Sequence, residues 1–483
     1  MHVRRSLTAL ASLVLCLLAL GAAVAMAATP GEITTFQIPG CPDSEVAFTA
    51  APQAGVLIRL CDEREGSFSS TLANLLPDGT LVRRAVPTSE PGPIATGPAG
   101  EIWLAAINAQ SPAVKGAELS IDRIAADGST TTFPLGSARS GRTLKVYGVA
   151  PDGRGGLWVA TGELTPGYYG QPTNSAGGEL VHVVPGAVVQ RFPLPRKLEP
   201  RGLVVGPDGN VWFTAVSDTF VGERTSSDGA GFIGQMTPNG RFALFLTPIE
   251  ESGPAGIVVG PDGLLWFAES AISTHRIGTI ATDGKFGPAY KIRGVIPQGP
   301  LTFGPEGDAW FPAIESGLMR LTPAGQETLY PNVHGTAVAG PEGDIWSFGY
   351  AQISRIVPGG PGIDVWAQAA DRQAHTFGFT LACGGSSTCE GTLELTLAVP
   401  RYSGPLPNGA KKKPFPFARI PYSVGAESAT RQTIEIPAKV FTLARRYAPE
   451  GAGGRYPVPV QAYATVAGGP TLERRLKVPS LLR

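Results

Sequence analysis

The chain has 483 residues, of which 43% are hydrophobic and 16% charged, and its 39 basic and 39 acidic side chains leave a formal net charge of 0. This balance lacks the excess of positive charge with which proteins hold nucleic acids or anionic membrane surfaces. We therefore expect neither a nucleic acid nor a membrane among the partners of this protein.

The N-terminus has the pattern of a secretory signal peptide, which we assign to residues 1–27. Arg4 and Arg5 precede an apolar run over residues 7–24, and residues 25–27 form a small-x-small cleavage site. No later stretch reaches the roughly 18 apolar residues that a membrane-spanning helix requires. We expect a secreted, extracellular monomer with no membrane span.

A β-hairpin unit recurs along the middle of the chain. In residues 201–214, two β-branched and aromatic runs flank Gly-Pro-Asp-Gly, whose residues suit successive positions of a tight hairpin turn. Six copies of this unit each carry a Trp in the second run, and these are Trp103, Trp158, Trp212, Trp266, Trp310 and Trp346. A seventh copy, over residues 41–50, has Ala47 in the position of the Trp.

A second series of turns alternates with the first. Its seven members lie at residues 77–79, 127–128, 185–186, 238–240, 283–284, 323–325 and 358–359. Two hairpins per repeat give four strands, and seven such repeats predict a seven-bladed β-propeller over residues 28–370. Residues 33–39 resemble the outermost strands of later blades, so we expect them to complete the last blade and close the ring. Each Trp is expected to fill the wedge between blades.

Three long insertions directly follow strands that carry Trp. They cover residues 108–120, 162–178 and 216–231. In an up-and-down blade, this link lies on the same face as the connector that enters the innermost strand. One face is therefore predicted to carry both the variable loops and the mouth of the central channel, where binding sites are common.

The pattern changes near Asp371, where the Trp residues and the Gly-Pro-Asp-Gly turns stop. Short alternating segments follow at residues 375–381, 391–399, 433–436 and 458–464. We predict a C-terminal immunoglobulin-like β-sandwich over residues 371–483, which makes the fold class all-β.

Four cysteines follow the signal segment, an even number in an oxidising compartment. Pairing by proximity predicts the disulfides Cys41–Cys61 and Cys383–Cys389. The spacing lacks the paired C-x-x-C pattern of a structural zinc site, which favours disulfides over metal.

The recurring P-x-G-[IL]-x-x-G-P-[DE]-G-x-[ILV]-W-F unit and the later segment Arg276-Ile277-Gly278-Thr279-Ile280 resemble the streptogramin B lyases, also called virginiamycin B lyases. The resemblance covers residues 34–368 and implies a propeller. It also implies the opening of a cyclic depsipeptide lactone by elimination. In that family a His acts as base, a magnesium ion held partly by two Glu polarises the ester carbonyl, and a second His contacts the substrate.

Carried over position by position, the resemblance places the base at His334, the two metal-binding positions at Asn332 and Tyr350, and the substrate-binding position at Gln298. Only His334 keeps the residue type of the family. Magnesium is normally held through one or two carboxylates, so we predict no metal site. We expect magnesium as a cofactor only if the protein retains the lyase chemistry.

The ends of the strands on the loop-bearing face bring polar side chains together. We predict a ligand site there, with His334 as the catalytic candidate; its other members are Tyr147, Glu163, Arg201, Glu269, Gln298 and Tyr350. The sequence has no G-x-S-x-G, H-E-x-x-H or glycine-rich phosphate motif. A pair of carboxylates for glycoside hydrolysis, Glu163 and Glu269, stays open as an alternative.

Three functions compete. The first is a binding module for a small molecule, peptide or glycan, favoured because the metal-binding glutamates are replaced. The second is a magnesium-dependent carbon–oxygen lyase with His334 as base. The third is a structural or cell-surface protein whose C-terminal domain makes the interaction.

Overall fold

The fold is described from a computed structural model of the chain. The described residues are 32–37, 48–52, 54–64, 67–85, 90–108, 118–137, 143–166, 172–186, 189–195, 198–217, 230–249, 252–270, 274–293, 295–314, 316–323, 325–330, 333–349, 352–358, 363–371, 374–383, 388–397, 414–425, 428–447, 458–466 and 471–478. The signal segment and Cys41 lie outside them, and the side chain of Cys61 is not described.

Within the described residues, the chain from residue 33 to residue 356 forms seven four-stranded antiparallel sheets, which we call blades 1 to 7. After β1 (Ile33–Gln37), blade 1 contains β2 (Phe48–Ala50), β3 (Val56–Arg64), β4 (Ser67–Leu75) and β5 (Leu81–Ala85), and blade 2 contains β6 (Glu90–Thr96), β7 (Ile102–Asn108), β8 (Glu118–Ile124) and β9 (Thr130–Ser137). Blade 3 contains β10 (Thr143–Pro151), β11 (Leu157–Pro166), β12 (Pro172–Val183) and β13 (Gln190–Pro193).

The remaining blades follow the same order. Blade 4 contains β14 (Leu198–Val205), β15 (Val211–Ser217), β16 (Gly231–Met236) and β17 (Phe242–Leu246), and blade 5 contains β18 (Gly253–Val259), β19 (Leu265–Ser270), β20 (His275–Ile280) and β21 (Tyr290–Lys291). Blade 6 contains β22 (Thr302–Phe303), β23 (Ala309–Ala313), β24 (Gly317–Leu321) and β25 (Glu327–Tyr330). Blade 7 contains β26 (Thr336–Ala339), β27 (Ile345–Gly349) and β28 (Gln352–Ile356).

The N-terminal strand closes the ring. β1 pairs with β28 as the fourth strand of blade 7, with Phe36 opposite Ile353. The first strand of blade 1 also contacts the first strand of blade 7. This confirms the expected closure, which leaves no unpaired edge between the first and last blades.

The six repeated Trp side chains lie between their own blade and the next one, with 0–5% of their surface exposed. Trp212 packs in one cluster with Ile257 and Leu265 of blade 5. Its indole N–H donates to Asp208 in the preceding turn at 3.1 Å. The turn carboxylate thus fixes the ring that fills the wedge, and the predicted packing role of the Trp residues is confirmed.

In blade 1 the Trp position is held by Leu57, and the prediction for Ala47 was wrong. The turn between β2 and β3 begins with a hydrogen bond from the Ala51 N–H to the Gly55 carbonyl at 3.1 Å, and the corresponding bond opens the same turn in the other six blades. In each of those blades Trp lies two residues after the acceptor, which here is Leu57. The sequence match over residues 41–50 failed because Phe48–Ala50 already forms the first strand.

The C-terminal part contains two sheets and a helix. One sheet has the order β29 (Ile363–Asp371), β30 (Thr376–Cys383) and β33 (Ser428–Glu435). The other contains β32 (Phe415–Val424), β31 (Cys389–Leu397), β34 (Val458–Val466) and β35 (Thr471–Val478) in that order, and helix α1 covers Ala438–Tyr447. The expected boundary between the propeller and the C-terminal domain, at residues 370 and 371, falls at the end of β29. This strand pairs with β30 of the C-terminal part and not with a strand of a blade.

The two C-terminal sheets share one buried core. Phe377 and Phe379 of β30 pack in the same cluster as Leu393 of β31 and Phe441 of α1. The Cys383–Cys389 disulfide joins β30 to β31 with the two Cα atoms 5.7 Å apart, which confirms that prediction. β29 and β35 also contact β25, so this part of the chain packs against the outer strand of blade 6. Among the described residues, no helix has the length and apolar character needed to cross a membrane.

Candidate functional site

The three insertions connect the second and third strands of blades 2, 3 and 4, as predicted. They leave β7, β11 and β15 and return through β8, β12 and β16. Leu198, at the start of β14, lies opposite Ser217, at the end of β15. The insertions and the entrances to the innermost strands therefore share one face, which we call the loop face.

Two of the predicted ligand-site residues lie at β-bulges of innermost strands. The pairing of β10 with β11 shifts between Val146 and Gly148, and this leaves Tyr147 without a cross-strand partner. The pairing of β14 with β15 shifts in the same way around Arg201. A bulge commonly redirects a side chain beside a functional site, and here it occurs at corresponding positions of neighbouring blades.

Glycines bring these positions close together around the axis of the propeller. A Cβ added to Gly202 would lie 2.9 Å from the Cα of Gly256, and one added to Gly256 would lie 2.8 Å from the Cα of Gly299. A Cβ added to Gly148 would lie 3.0 Å from the side-chain Cδ2 of Leu203 and 3.9 Å from the Cα of Gly202. The residues that precede these glycines therefore follow one another around the ring: Tyr147, Arg201, Ala255 and Gln298.

Tyr147 and Arg201 belong to a small polar cluster between blades 3 and 4. Arg201 Nε lies 3.1 Å from a carboxylate oxygen of Glu199, and Lys145 Nζ lies 5.0 Å from the ring centre of Tyr147. Burial and the nearby Glu199 carboxylate raise the pKa of Tyr147, so its hydroxyl stays protonated. Among the described residues, that hydroxyl has no hydrogen-bond partner of good geometry.

Lys145 and Glu199 were missed by the sequence analysis. Each lies two residues before a residue that was predicted, on the same innermost strand. Because side chains alternate between the two faces of a strand, residues separated by two share a face. This periodicity could have identified both residues, although the bulges at Tyr147 and Arg201 could not be foreseen.

Glu269 is part of the packed interior and does not line the channel. Its side chain is 0% exposed, pairs with Arg276 Nε, and accepts a hydrogen bond from Ser252 Oγ at 3.0 Å. Ser252 in turn lies 2.7 Å from the hydroxyl of Thr247. All of this network lies within blade 5 and its entrance, so Glu269 acts there as a structural ion-pair partner.

The other predicted ligand-site residues differ in position. Glu163 lies opposite Leu144 in β11 and is half-buried. Gln298 is exposed at the entrance of blade 6, where its backbone N–H donates to the Pro312 carbonyl at 2.8 Å. Tyr350 lies outside the described residues.

His334 lies at the entrance of blade 7 and is half-buried. Its carbonyl accepts a hydrogen bond from Ser347 Oγ at 2.8 Å. Gly335 has φ 85°, and a Cβ there would lie 1.6 Å from the carbonyl oxygen of Phe348, so the backbone after His334 is tightly fixed. Burial lowers the pKa of His334 below its ordinary value, which keeps the imidazole neutral at pH 7.

Neither Asn332 nor Tyr350 carries a carboxylate, the ligand that magnesium prefers. A single imidazole nitrogen is a poor substitute for the carboxylate oxygens of a magnesium site. In the part of the chain that the structure describes, no three His, Cys, Asp or Glu side chains are grouped as a metal site would need. Asn332 and Tyr350, the two positions that the resemblance assigns to metal binding, lie outside that part.

Comparisons with known proteins give one family match. Residues 172–380 match the model of the virginiamycin B lyase family. No curated protein matches the chain.

Several solved structures are similar to this chain. A streptogramin B lyase is 20% identical to it, with a TM-score of 0.49, and the match covers 67% of this chain and 96% of that one. A selenomethionine-substituted virginiamycin B lyase from Staphylococcus aureus has the same identity and TM-score, with 67% and 98% covered. A catalytically inactive virginiamycin B lyase from Staphylococcus aureus with quinupristin is 20% identical, with a TM-score of 0.47, and 67% and 99% are covered.

The family match covers the repeats on which the resemblance in sequence rests. It runs from β12 of blade 3 to β30 and contains four of the Trp-bearing hairpins. Over this part of its propeller, the chain is similar to the virginiamycin B lyase family.

Proposed function

We propose that the protein is an exported ligand-binding module whose site is the loop face of the propeller. The observation that carries this proposal is the cluster of Lys145, Tyr147, Glu199 and Arg201 between blades 3 and 4. In the same proposal, the C-terminal sheets form an immunoglobulin-like sandwich that acts as a spacer or a second contact.

The chemistry of the cluster favours a peptide, glycan or small molecule that carries a carboxylate beside a hydroxyl or amide group. Arg201 has 45% of its side chain exposed, so its remaining N–H groups can donate to a carboxylate. The protonated Tyr147 hydroxyl adds a neutral donor, and Glu199 adds an acceptor. Loops on a rigid ring commonly carry such sites.

Replacing Arg201 with alanine is expected to weaken ligand binding by roughly tenfold or more, because a hydrogen bond to a charged group contributes about 1.5–3 kcal/mol. The measurement is binding of the wild-type protein and the variant to one printed array of peptides and glycans. Arg241→Ala is the control, because Arg241 is exposed in the turn at the opposite end of blade 4. An array that gives no signal with the wild-type protein, or an equal loss in both variants, contradicts the proposal.

A lyase is the second candidate, and the observation that favours it is the neutral, half-buried His334. A neutral imidazole can accept a proton at pH 7. Removal of a proton from the carbon adjacent to the one that carries the alkyl oxygen of the ester would form a C=C bond between these two carbons and break the C–O bond. The ester then leaves as a carboxylate, and the imidazole keeps the proton. Because neither Asn332 nor Tyr350 carries a carboxylate for magnesium, we derive only this proton transfer.

If His334 is the base, His334→Ala is expected to lower turnover of a type B streptogramin by about 10²–10⁴-fold. The rate in the wild-type protein should fall as the pH drops through the pKa of His334, which lies below its ordinary value of about 6.5. His375→Ala is the control, because His375 is exposed in the C-terminal part. Unchanged turnover in His334→Ala excludes this mechanism.

A further inference from the structure

A cavity of about 650 Å³ lies between blades 1 and 2. Its lining includes Leu57, Leu72, Asn74, Val82, Ile102 and Ala125. Residues of the turns that follow β2, β6 and β8 also line it, so it opens at the end of the propeller opposite the loop face. It is therefore separate from the cluster around Arg201.

Among the described residues of the ring, the interface between blades 1 and 2 is the one that has no Trp, and the cavity lies at this interface. In every other blade the Trp side chain lies in the space between that blade and the next. Leu57 occupies the equivalent position in blade 1 and packs against Ile94 and Leu104 of blade 2. Leucine is smaller than Trp and has no planar ring, so it leaves part of the wedge unfilled.

A second aromatic ring is also replaced at this interface. In the other six blades the Trp lies beside an aromatic residue of the fourth strand, with ring centres 5.0–6.0 Å apart. In blade 4 that residue is Phe245, which lies opposite Ile233. The same position in blade 1 lies opposite Leu72 and is held by Arg84. Blade 1 therefore lacks both members of this aromatic pair.

The cavity also has a polar side chain. Asn74 lies opposite Leu57, as Gln235 lies opposite Trp212 in blade 4. Gln235 donates to the turn carboxylate of Asp208 at 3.0 Å. The Oδ1 atom of Asn74 is buried and has no hydrogen-bond partner among the described residues.

We propose that this cavity is a second binding site, and that it takes a planar aromatic ligand with a polar edge. The ring of the ligand would occupy the wedge that Trp fills in the other blades, between the apolar side chains of Leu57 and Ile102. Rotation of the Asn74 amide would let it bond to the polar edge of the ligand. A volume of about 650 Å³ is typical of small-molecule sites, which are mostly apolar with a few polar groups.

Titration of the full chain with 5-fluoroindole, followed by fluorine NMR, tests the proposal. The wild-type protein is expected to bind the probe, and Leu57→Trp is expected to lose at least about tenfold in affinity, because the new indole fills the cavity. The same variant should raise the midpoint of thermal unfolding. Leu246→Trp is the matched control, since Leu246 is 60% exposed on blade 4, and it should bind the probe as the wild-type protein does.

Absence of binding to the wild-type protein up to the solubility limit of the probe would overturn the proposal. Equal affinities of Leu57→Trp and Leu246→Trp would overturn it as well, because the probe would then bind elsewhere. If Leu57→Trp does not fold, Leu57→Phe replaces it, with the smaller ring again expected to weaken binding. The test is independent of the loop face, so Arg201→Ala should bind the probe normally.

Discussion

Replacing Arg320 with leucine is expected to lower the free energy of unfolding by about 3–5 kcal/mol. Arg320 in β24 is 2% exposed, pairs with Asp308 through Nε, and donates to Glu306 through Nη2 at 2.7 Å. Its guanidinium also lies over the Trp310 ring, 5.8 Å from the ring centre. Without Arg320, the Asp308 carboxylate stays buried at 4% exposure and loses the guanidinium that pairs with it.

Urea unfolding at pH 7 measures this loss. Arg191→Leu is the matched control, because Arg191 forms a cross-strand ion pair with Glu179 in blade 3 in which the two side chains are 42% and 27% exposed. Exposed pairs of this kind contribute about 0–1 kcal/mol. Equal losses in the two variants would contradict the argument. The double variant Arg320→Leu with Asp308→Leu should recover part of the stability, since it removes the uncompensated charge.

The propeller could be predicted because its signals are local. Each tight turn is specified by four adjacent residues, and each Trp lies at a fixed distance from its turn, so spacing alone gives strands and blades. Blade 1 is the exception, because Leu57 and the turn before it lack both signals. A sequence match then selected Ala47, whereas the turn hydrogen bond between Ala51 and Gly55 identifies the correct hairpin.

The helix α1 had a signal that the sequence analysis did not use. Pro437 precedes it, and Val440, Phe441 and Leu443 give the spacing of an amphipathic helix. The structure places Val440 and Phe441 in the core shared by the two C-terminal sheets.

The candidate site was harder to predict because it depends on contacts between blades. The glycines that bring Tyr147 and Arg201 to neighbouring positions are visible in the sequence, but the bulges are not. For Glu269, the position after Trp266 gave the strand correctly, and its ion pair was not foreseen. Its partner Arg276 comes from the next strand, and that register follows only from the folded blade.

Replacing Glu269 with glutamine is expected to lower the free energy of unfolding by about 3 kcal/mol, the lower end for a broken buried ion pair. Glu269 is 0% exposed, whereas 17% of the Arg276 side chain reaches the surface, so water can solvate part of the unpaired arginine. Glutamine keeps the size of the side chain and can still accept from Ser252, which isolates the effect of the charge.

A double-mutant cycle with Arg276→Met distinguishes this structural role from a ligand-binding role. If the ion pair accounts for the loss, the double variant will be more stable than the sum of the two single changes predicts, by about 0.5–3 kcal/mol. Binding at the loop face should then persist in Glu269→Gln at temperatures where the variant stays folded. If Glu269 instead contacts a ligand, stability will change little while binding falls. The buried position of its carboxylate, closed off by Arg276 and Ser252, leads us to expect the first result.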